Sequence, residues 1–367
     1  MLMKVIRKIS AALLCIIAVL TAVEGVRAAE IHRHWSFVIL VLLTIVCLGA
    51  AAADDFRNKK TVPLLNHAGL LLVLAGGLAG AACLTEATMK IFEGGSEHTA
   101  VDRTGRIMPL PFEISLQEFT IDHYDDGVSP RQYTSVLKID GNSLKASVNH
   151  PAHHKGWHIY QSSYGDGYSV LKIVRNPWLP MVALGALLLG AGAVLAIGKA
   201  WSGRKILIPA LVLAAAFTVV SVARINFGTL PPALRSLWFA PHLAAYMLAY
   251  ALLALAVISG VGSKFCPRIP EGLARRLLAS AQALLLIGML CGTVWAQQAW
   301  GSFWNWDPKE CWAAATWLLA LCSTHVPAGR RKLALALTIL AFLSMNVTWY
   351  GVNHLPSSSV SLHTYNR

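Results

Sequence analysis

Apolar blocks of about twenty residues, repeated along the chain between short basic connections, constrain this sequence more than any other feature. A block of that length is what an α-helix needs to cross the hydrocarbon core of a bilayer, where every backbone group must be satisfied within its own segment. About nine such spans are expected, near Ile9–Val26, Trp35–Ala53, Val62–Thr85, Pro177–Ile197, Ile206–Ala223, Pro241–Gly262, Leu277–Gln297, Cys311–His325 and Leu333–Val352. Composition agrees: charged residues make up 13% of the 367, against roughly 25% for a water-soluble domain. The fold class is therefore a polytopic α-helical membrane protein with about nine transmembrane helices. Its one sizeable soluble piece, residues 86–176, lies between the third and fourth spans.

The net charge of +13 does not point to nucleic acid, because the basic residues cluster between apolar blocks and form no stripe in a soluble segment. They read as orientation signals instead. Alternate connections hold Lys4, Arg7 and Lys8; Arg57, Lys59 and Lys60; Lys199, Arg204 and Lys205; Lys264, Arg268, Arg275 and Arg276; and Arg330, Arg331 and Lys332. The connections on the other side hold only Arg27, Arg33, Arg224, Arg235, Lys309 and Arg367. With the basic side cytoplasmic, the 86–176 piece and the C-terminus lie outside, in an inner (cytoplasmic) membrane. Lys4–Lys8 and the short apolar core after it also resemble a signal peptide. Glu24 and Arg27 crowd its would-be cleavage site, which favours an uncleaved first span. No two of the seven cysteines stand at C-x-x-C spacing, so a zinc ribbon, a thioredoxin-type dithiol and a self-carried c-type haem motif are excluded.

The outer piece reads as β. Phe112–Ile121 and Tyr133–Ile139 alternate apolar and polar residues, Asp140-Gly141 signals a hairpin before Ser143–Val148, and Trp157–Gln161 and Tyr168–Val174 continue the pattern around a Gly165–Gly167 turn. A small sandwich or half-barrel is expected. His150, His153, His154 and His158 could bind a metal, but loop histidines near a strand end are the plainer reading.

The sharpest local signal is WAQQAWGSFWNWDPKECW, which carries Trp295, Trp300, Trp304, Trp306 and Trp312 beside Asp307, Lys309 and Glu310. An aromatic belt scatters indoles over many span ends; this one connection concentrates five. A flat polarisable surface with a few placed polar groups suits a planar ligand, and porphyrin is the obvious candidate because its iron also takes imidazole. On the charge-derived topology, His242 and His363 share the face of the tryptophan loop, while His67 and His325 lie together near the cytoplasmic side. That pattern allows one haem site at each face.

These residues match a family. Trp300–Glu310 (WGSFWNWDPKE) strongly resembles the WWD signature of haem-handling proteins in cytochrome c maturation, in its CcsA (ResC) form. PHLAAYMLAYALLAL, STHVPAGRRKLALAL and GVNHLPSSSVSLHTY extend that likeness over 206–367. Upstream, NHAGLLLVLAGG and HPAHHKGWHIYQSSY resemble CcsB (ResB). The chain is thus similar to the fused CcsBA cytochrome c synthetases of System II. Its parts are then a ResB-like membrane segment (1–85), the outer β-rich domain (86–176), a helix and cytoplasmic linker (177–205), and the WWD domain (206–367). The outer domain is much shorter than the family's usual one.

The resemblance implies haem b (iron protoporphyrin IX), ligated by His242 and His363 at the WWD loop and by His67 and His325 on the cytoplasmic side. It implies thioether attachment of that haem to the C-x-x-C-H cysteines of an apocytochrome c, with thioredoxin-like partners keeping those cysteines reduced. Trp300, Trp304, Trp306 and Asp307 are expected to act with the outer histidines. Trp295, Trp312 and Lys309 are expected to help hold the ring. A haem exporter or chaperone that makes no covalent bond is the competing expectation.

Overall fold

A computed structural model describes residues 2–201, 208–222, 227–270 and 272–361. Nine α-helices occur among them: α1 (Leu2–Arg27), α2 (Trp35–Arg57), α3 (Thr61–Cys83), α4 (Leu179–Trp201), α5 (Ile208–Val222), α6 (Phe239–Gly262), α7 (Leu273–Trp300), α8 (Pro308–His325) and α9 (Arg331–Trp349). Seven are long and apolar enough to cross a membrane; α5, with 15 described residues, and α8, with 18 that include a polar first turn, are not. The expected helices are thus present, and two of the nine fall short of a span by length or composition. His363 lies outside the described residues.

Between bilayer helices the hydrophobic effect supplies little, so close backbone approach must hold the bundle together. α3 and α4 show how. A Cβ placed on Gly69 would lie 2.8 Å from the carbonyl oxygen of Gly185, and one on Gly185 would lie 2.7 Å from that of Gly69. No other residue type lets these two backbones meet. α6 and α7 also run antiparallel, and with α8 and α9 they form the larger buried core, which includes Tyr246, Leu252, Leu253, Leu277, Ala281 and Leu285.

The soluble piece is one antiparallel sheet of eight strands: β1 (Thr85–Phe92), β2 (Ser96–Asp102), β3 (Ile107–His123), β4 (Pro130–Ile139), β5 (Asn142–Ser147), β6 (Ala152–His154), β7 (Trp157–Gly165) and β8 (Tyr168–Arg175). Its order is β5-β4-β3-β2-β1-β8-β7-β6. The alternating residues named above turn inward: Ile114, Leu116, Leu137, Ile139, Ile159, Leu171 and Ile173 are fully buried. The edge strands β5 and β6 are joined by a tight turn closed by a Ser147–His150 bridge. At the hairpin, Asp140 and Gly141 both take positive φ, 49° and 83°, as a two-residue turn between twisted strands requires.

β1 follows α3 and β8 precedes α4, so the sheet caps one end of the bundle. Buried Asn149 fixes it to the segment before α6, its amide donating to the carbonyls of Pro232, Ala233 and Arg235 at 2.9–3.2 Å. Helix ends bearing Arg57, Lys199 and Arg331 therefore gather at the opposite end.

Candidate functional site

At the sheet end, α6, α7, α8 and α9 enclose a cavity of about 550 Å³, within the range of small-molecule sites. Its wall is mainly aromatic, with Phe239, Tyr246, Tyr250, Trp295, Trp304 and Trp349, and its polar groups include His242, Lys309 and Glu310. His242 sits in the first turn of α6. Its Nδ1 donates to the carbonyl oxygen of Gly288 at 2.8 Å, and because a carbonyl can only accept, the neutral ring carries its lone pair on Nε2. That is how a metal-binding imidazole is usually set. Space for the ring comes from Gly292, where a Cβ would stand 2.7 Å from His242 Nδ1 and Cε1. Tyr246 and Trp295 pack edge-on to it at 4.9 and 5.9 Å.

The loop from Gly301 to Asp307 is held from both sides. Asp307 caps α8, its Oδ1 accepting from the Lys309 amide at 2.8 Å, while Glu310 Oε2 accepts from the Asn305 and Asp307 amides at 2.8 and 3.3 Å. This capping box is the reciprocal satisfaction of orphan N–H groups expected at a helix start. The hydroxyl of Ser361 donates to Asp307 at 3.1 Å. From the sheet, Lys172 Nζ donates to the Trp300 carbonyl at 2.9 Å. Gln297 of α7 donates to the Tyr160 hydroxyl at 3.0 Å, a group whose pKa burial pushes up.

The five indoles do not form one shelf. Trp295 and Trp304 line the cavity. Trp295 is pinned by its Nε1–H donating to the Ala233 carbonyl at 2.9 Å, and Trp300 packs at 6.0 Å from Trp295, beside the sheet. Trp312 lies against α1, where a Cβ on Gly25 would come within 2.7 Å of its ring. Trp306 adopts φ +57°, a conformation a bulky side chain rarely takes, and faces the α1–α2 connection. There His32 stacks on it, centroids 4.7 Å apart and planes within 6°, and Phe37 meets it edge-on at 5.3 Å. His32 donates in turn to Glu24 at 3.1 Å, and Glu24, 3% exposed, also accepts from the Glu30 and Ile31 amides. A second cavity of about 300 Å³ opens between Glu24, His32, Arg33, Asn305, Trp306 and Asp307. Sequence reasoning did not single out His32, which follows a span end like any interfacial residue.

At the other end of the bundle, His67 lies two turns into α3 and donates from Nδ1 to Asp55 Oδ2 at 2.6 Å. His325 ends α8, with Nδ1 donating to the Leu321 carbonyl at 2.9 Å. In the sheet, His154 donates to Asp140, His150 to the Val148 carbonyl, and His153 meets His158 edge-on at 4.4 Å. Among the described residues no three His, Cys, Asp or Glu groups gather as a metal centre.

The fold and site define a multi-pass membrane protein with an aromatic, histidine-bearing cavity under a β-sheet cap. Comparison with known proteins makes the class specific. Residues 50–170 match the ResB-like family and residues 179–359 the cytochrome C assembly protein family. The chain thus fuses a ResB-like region to a cytochrome C assembly region, the combination found in the fused CcsBA proteins its motifs resemble. It is similar to the cytochrome c biogenesis protein CcsA of Hordeum vulgare and of Spinacia oleracea, each 39% identical over 93 residues. The same protein of Piper cenocladum is 40% identical over 93 residues. Each match covers 24% of this chain and 28% of the relative, so it spans little more than a quarter of those proteins.

Proposed function

We propose that this protein is a cytochrome c synthetase that carries haem b to the outer face of an inner (cytoplasmic) membrane and joins it to apocytochrome c. The carrying observation is the 550 Å³ cavity in which His242, with Nδ1 fixed by the Gly288 carbonyl, stands beside Trp295 and Trp304. In this reading Nε2 of His242 takes one axial position on the iron and His363 the other. The indole walls hold the ring plane, and Lys309 offers a cation to its propionates. Each thioether forms when a cysteine thiol of the C-x-x-C-H segment adds across a haem vinyl group, sulfur bonding one carbon and the proton reaching the other. No redox change is involved. What the site contributes is positioning of the vinyl edge against the incoming thiols, with the substrate's own histidine displacing one protein imidazole.

His67 and His325 receive haem at the cytoplasmic end. The sheet, the WWD loop and the C-terminus then face the periplasm, where thioredoxin-like partners keep the substrate cysteines reduced. The test is co-expression with an apocytochrome bearing C-x-x-C-H, read as haem stain that survives denaturing electrophoresis. Stained product is expected. Haem that co-purifies with this chain while no stained product forms would reduce the protein to a carrier.

A further inference from the structure

Three of the described histidines, His67, His242 and His325, share one feature and differ in another. Each spends Nδ1–H on an acceptor, which leaves Nε2 as the ligating nitrogen. For His242 and His325 the acceptor is a backbone carbonyl. For His67 it is the Asp55 carboxylate, whose side chain is only 7% exposed.

Nothing in the helix calls for an acid at that place. Asp54 and Asp55 fall in the last turn of α2, where the helix dipole disfavours negative charge. Lys60 Nζ compensates only loosely, 3.7 Å from each carboxylate, whereas the imidazole is 2.6 Å away. A buried carboxylate on Nδ1–H fixes ring orientation and raises the donor strength of Nε2. A carbonyl does the first and much less of the second.

We infer that Asp55 is the positioning residue of His67, aligning its ring and making it a stronger donor to ferric iron than the carbonyl-anchored His242 and His325. The inference rests on the reading that His67 takes haem. Haem held at the His67 end is therefore biased towards the ferric state, and haem at the His242 end is not.

The test uses the full chain purified with its haem, comparing wild type, His67→Ala, Asp55→Asn and Asp55→Glu by absorption spectrum, haem retention and midpoint potential. Asparagine keeps the shape and an acceptor oxygen while removing the charge. Asp55→Asn should weaken ferric haem retention at this end about 10- to 100-fold, and a tenfold selective loss of the ferric form raises the potential by about 59 mV. Asp55→Glu, which keeps the charge, should return the potential towards wild type. Equal displacement in both variants would mean that Asp55 only packs, and would overturn the inference, as would an Asp55→Asn protein that matches wild type. If Asp55→Asn does not fold, Lys60→Met substitutes: freeing the carboxylate from its cation should lower the potential, and an unchanged or raised value counts against the inference. If His67→Ala itself leaves the haem spectrum unaltered, the reading of His67 as a ligand fails instead, a result distinct from all of these.

Discussion

At the two ends of the bundle His242 and His67 are held by different means. At the sheet end His242 is anchored by a backbone carbonyl and enclosed by aromatic rings, with a capping box and the sheet bracing the loop above it. At the basic end His67 is anchored by a carboxylate, and His325 stands exposed at a helix terminus whose Thr324 carbonyl accepts from Arg275 at 3.4 Å. Rigid aromatic walls suit holding a planar ring in one pose. Charge near the surface suits capture and release. Haem would thus meet an electrostatic entry and a geometric work site, and variants at the two ends should fail in different ways.

The largest expected effect comes from His242→Ala. Stained cytochrome product should fall at least ~100-fold, with imidazole supplied in the medium restoring part of it, while haem bound at the His67 end persists. Loss of both signals together would merge the two ends into a single site. Gly292→Ala comes next. Alanine favours a helix interior over glycine by about 1 kcal/mol, so α7 should not weaken by propensity, yet its Cβ would stand 2.7 Å from the His242 ring. A displacement of about 1 Å can cost on the order of 100-fold; roughly tenfold less product from a normally expressed protein is expected. Full activity would mean that the position of His242 is immaterial.

His32→Ala should be milder. Removing a ring stack of about 1 kcal/mol frees Trp306 without touching the first cavity. A several-fold loss of product is expected, visible as a changed tryptophan fluorescence spectrum, with haem retention close to wild type. His32→Phe keeps a stacking face and should recover most of the difference.

Much of this was legible in the sequence because membrane helices and half-buried strands have periods. The helices, the Asp140-Gly141 hairpin and strands β3, β4, β7 and β8 follow from hydropathy and alternation, though only seven of the described helices are long and apolar enough to cross a membrane. β1 did not, since Thr85–Phe92 runs on from α3 and its partner β8 lies about eighty residues further along. The tryptophan cluster was legible as a density, but a loop has no period from which side-chain direction can be read. Only the left-handed backbone at Trp306 sends that indole towards His32, and only the first turn of α8 sends Trp312 towards Gly25. Pairings such as Asp55 with His67 and Glu24 with His32 need coordinates. Each joins neighbouring elements that the sequence leaves at an unknown angle.

The smallest expected effect separates the sheet from both histidine-bearing ends of the bundle. His158 is half-buried, and desolvation first, then the facing His153, pull its pKa below the usual imidazole value. The folded sheet therefore prefers the neutral ring. That preference is fully present above the unfolded pKa of about 6.5 and is lost as pH falls through that value towards the lower folded one. The partial exposure of His158 lets solvent screen the effect, so less than about 1 kcal/mol is at stake. Hydrogen exchange of the β6 and β7 amides in the full chain, corrected for intrinsic rates, should show protection decreasing between about pH 7 and pH 5.5, with β3 and β4 little changed. His153→Gln removes the repulsion but not the burial and should flatten part of the pH dependence. Uniform loosening of the whole sheet would assign the effect to other groups and leave His153 and His158 as ordinary surface residues.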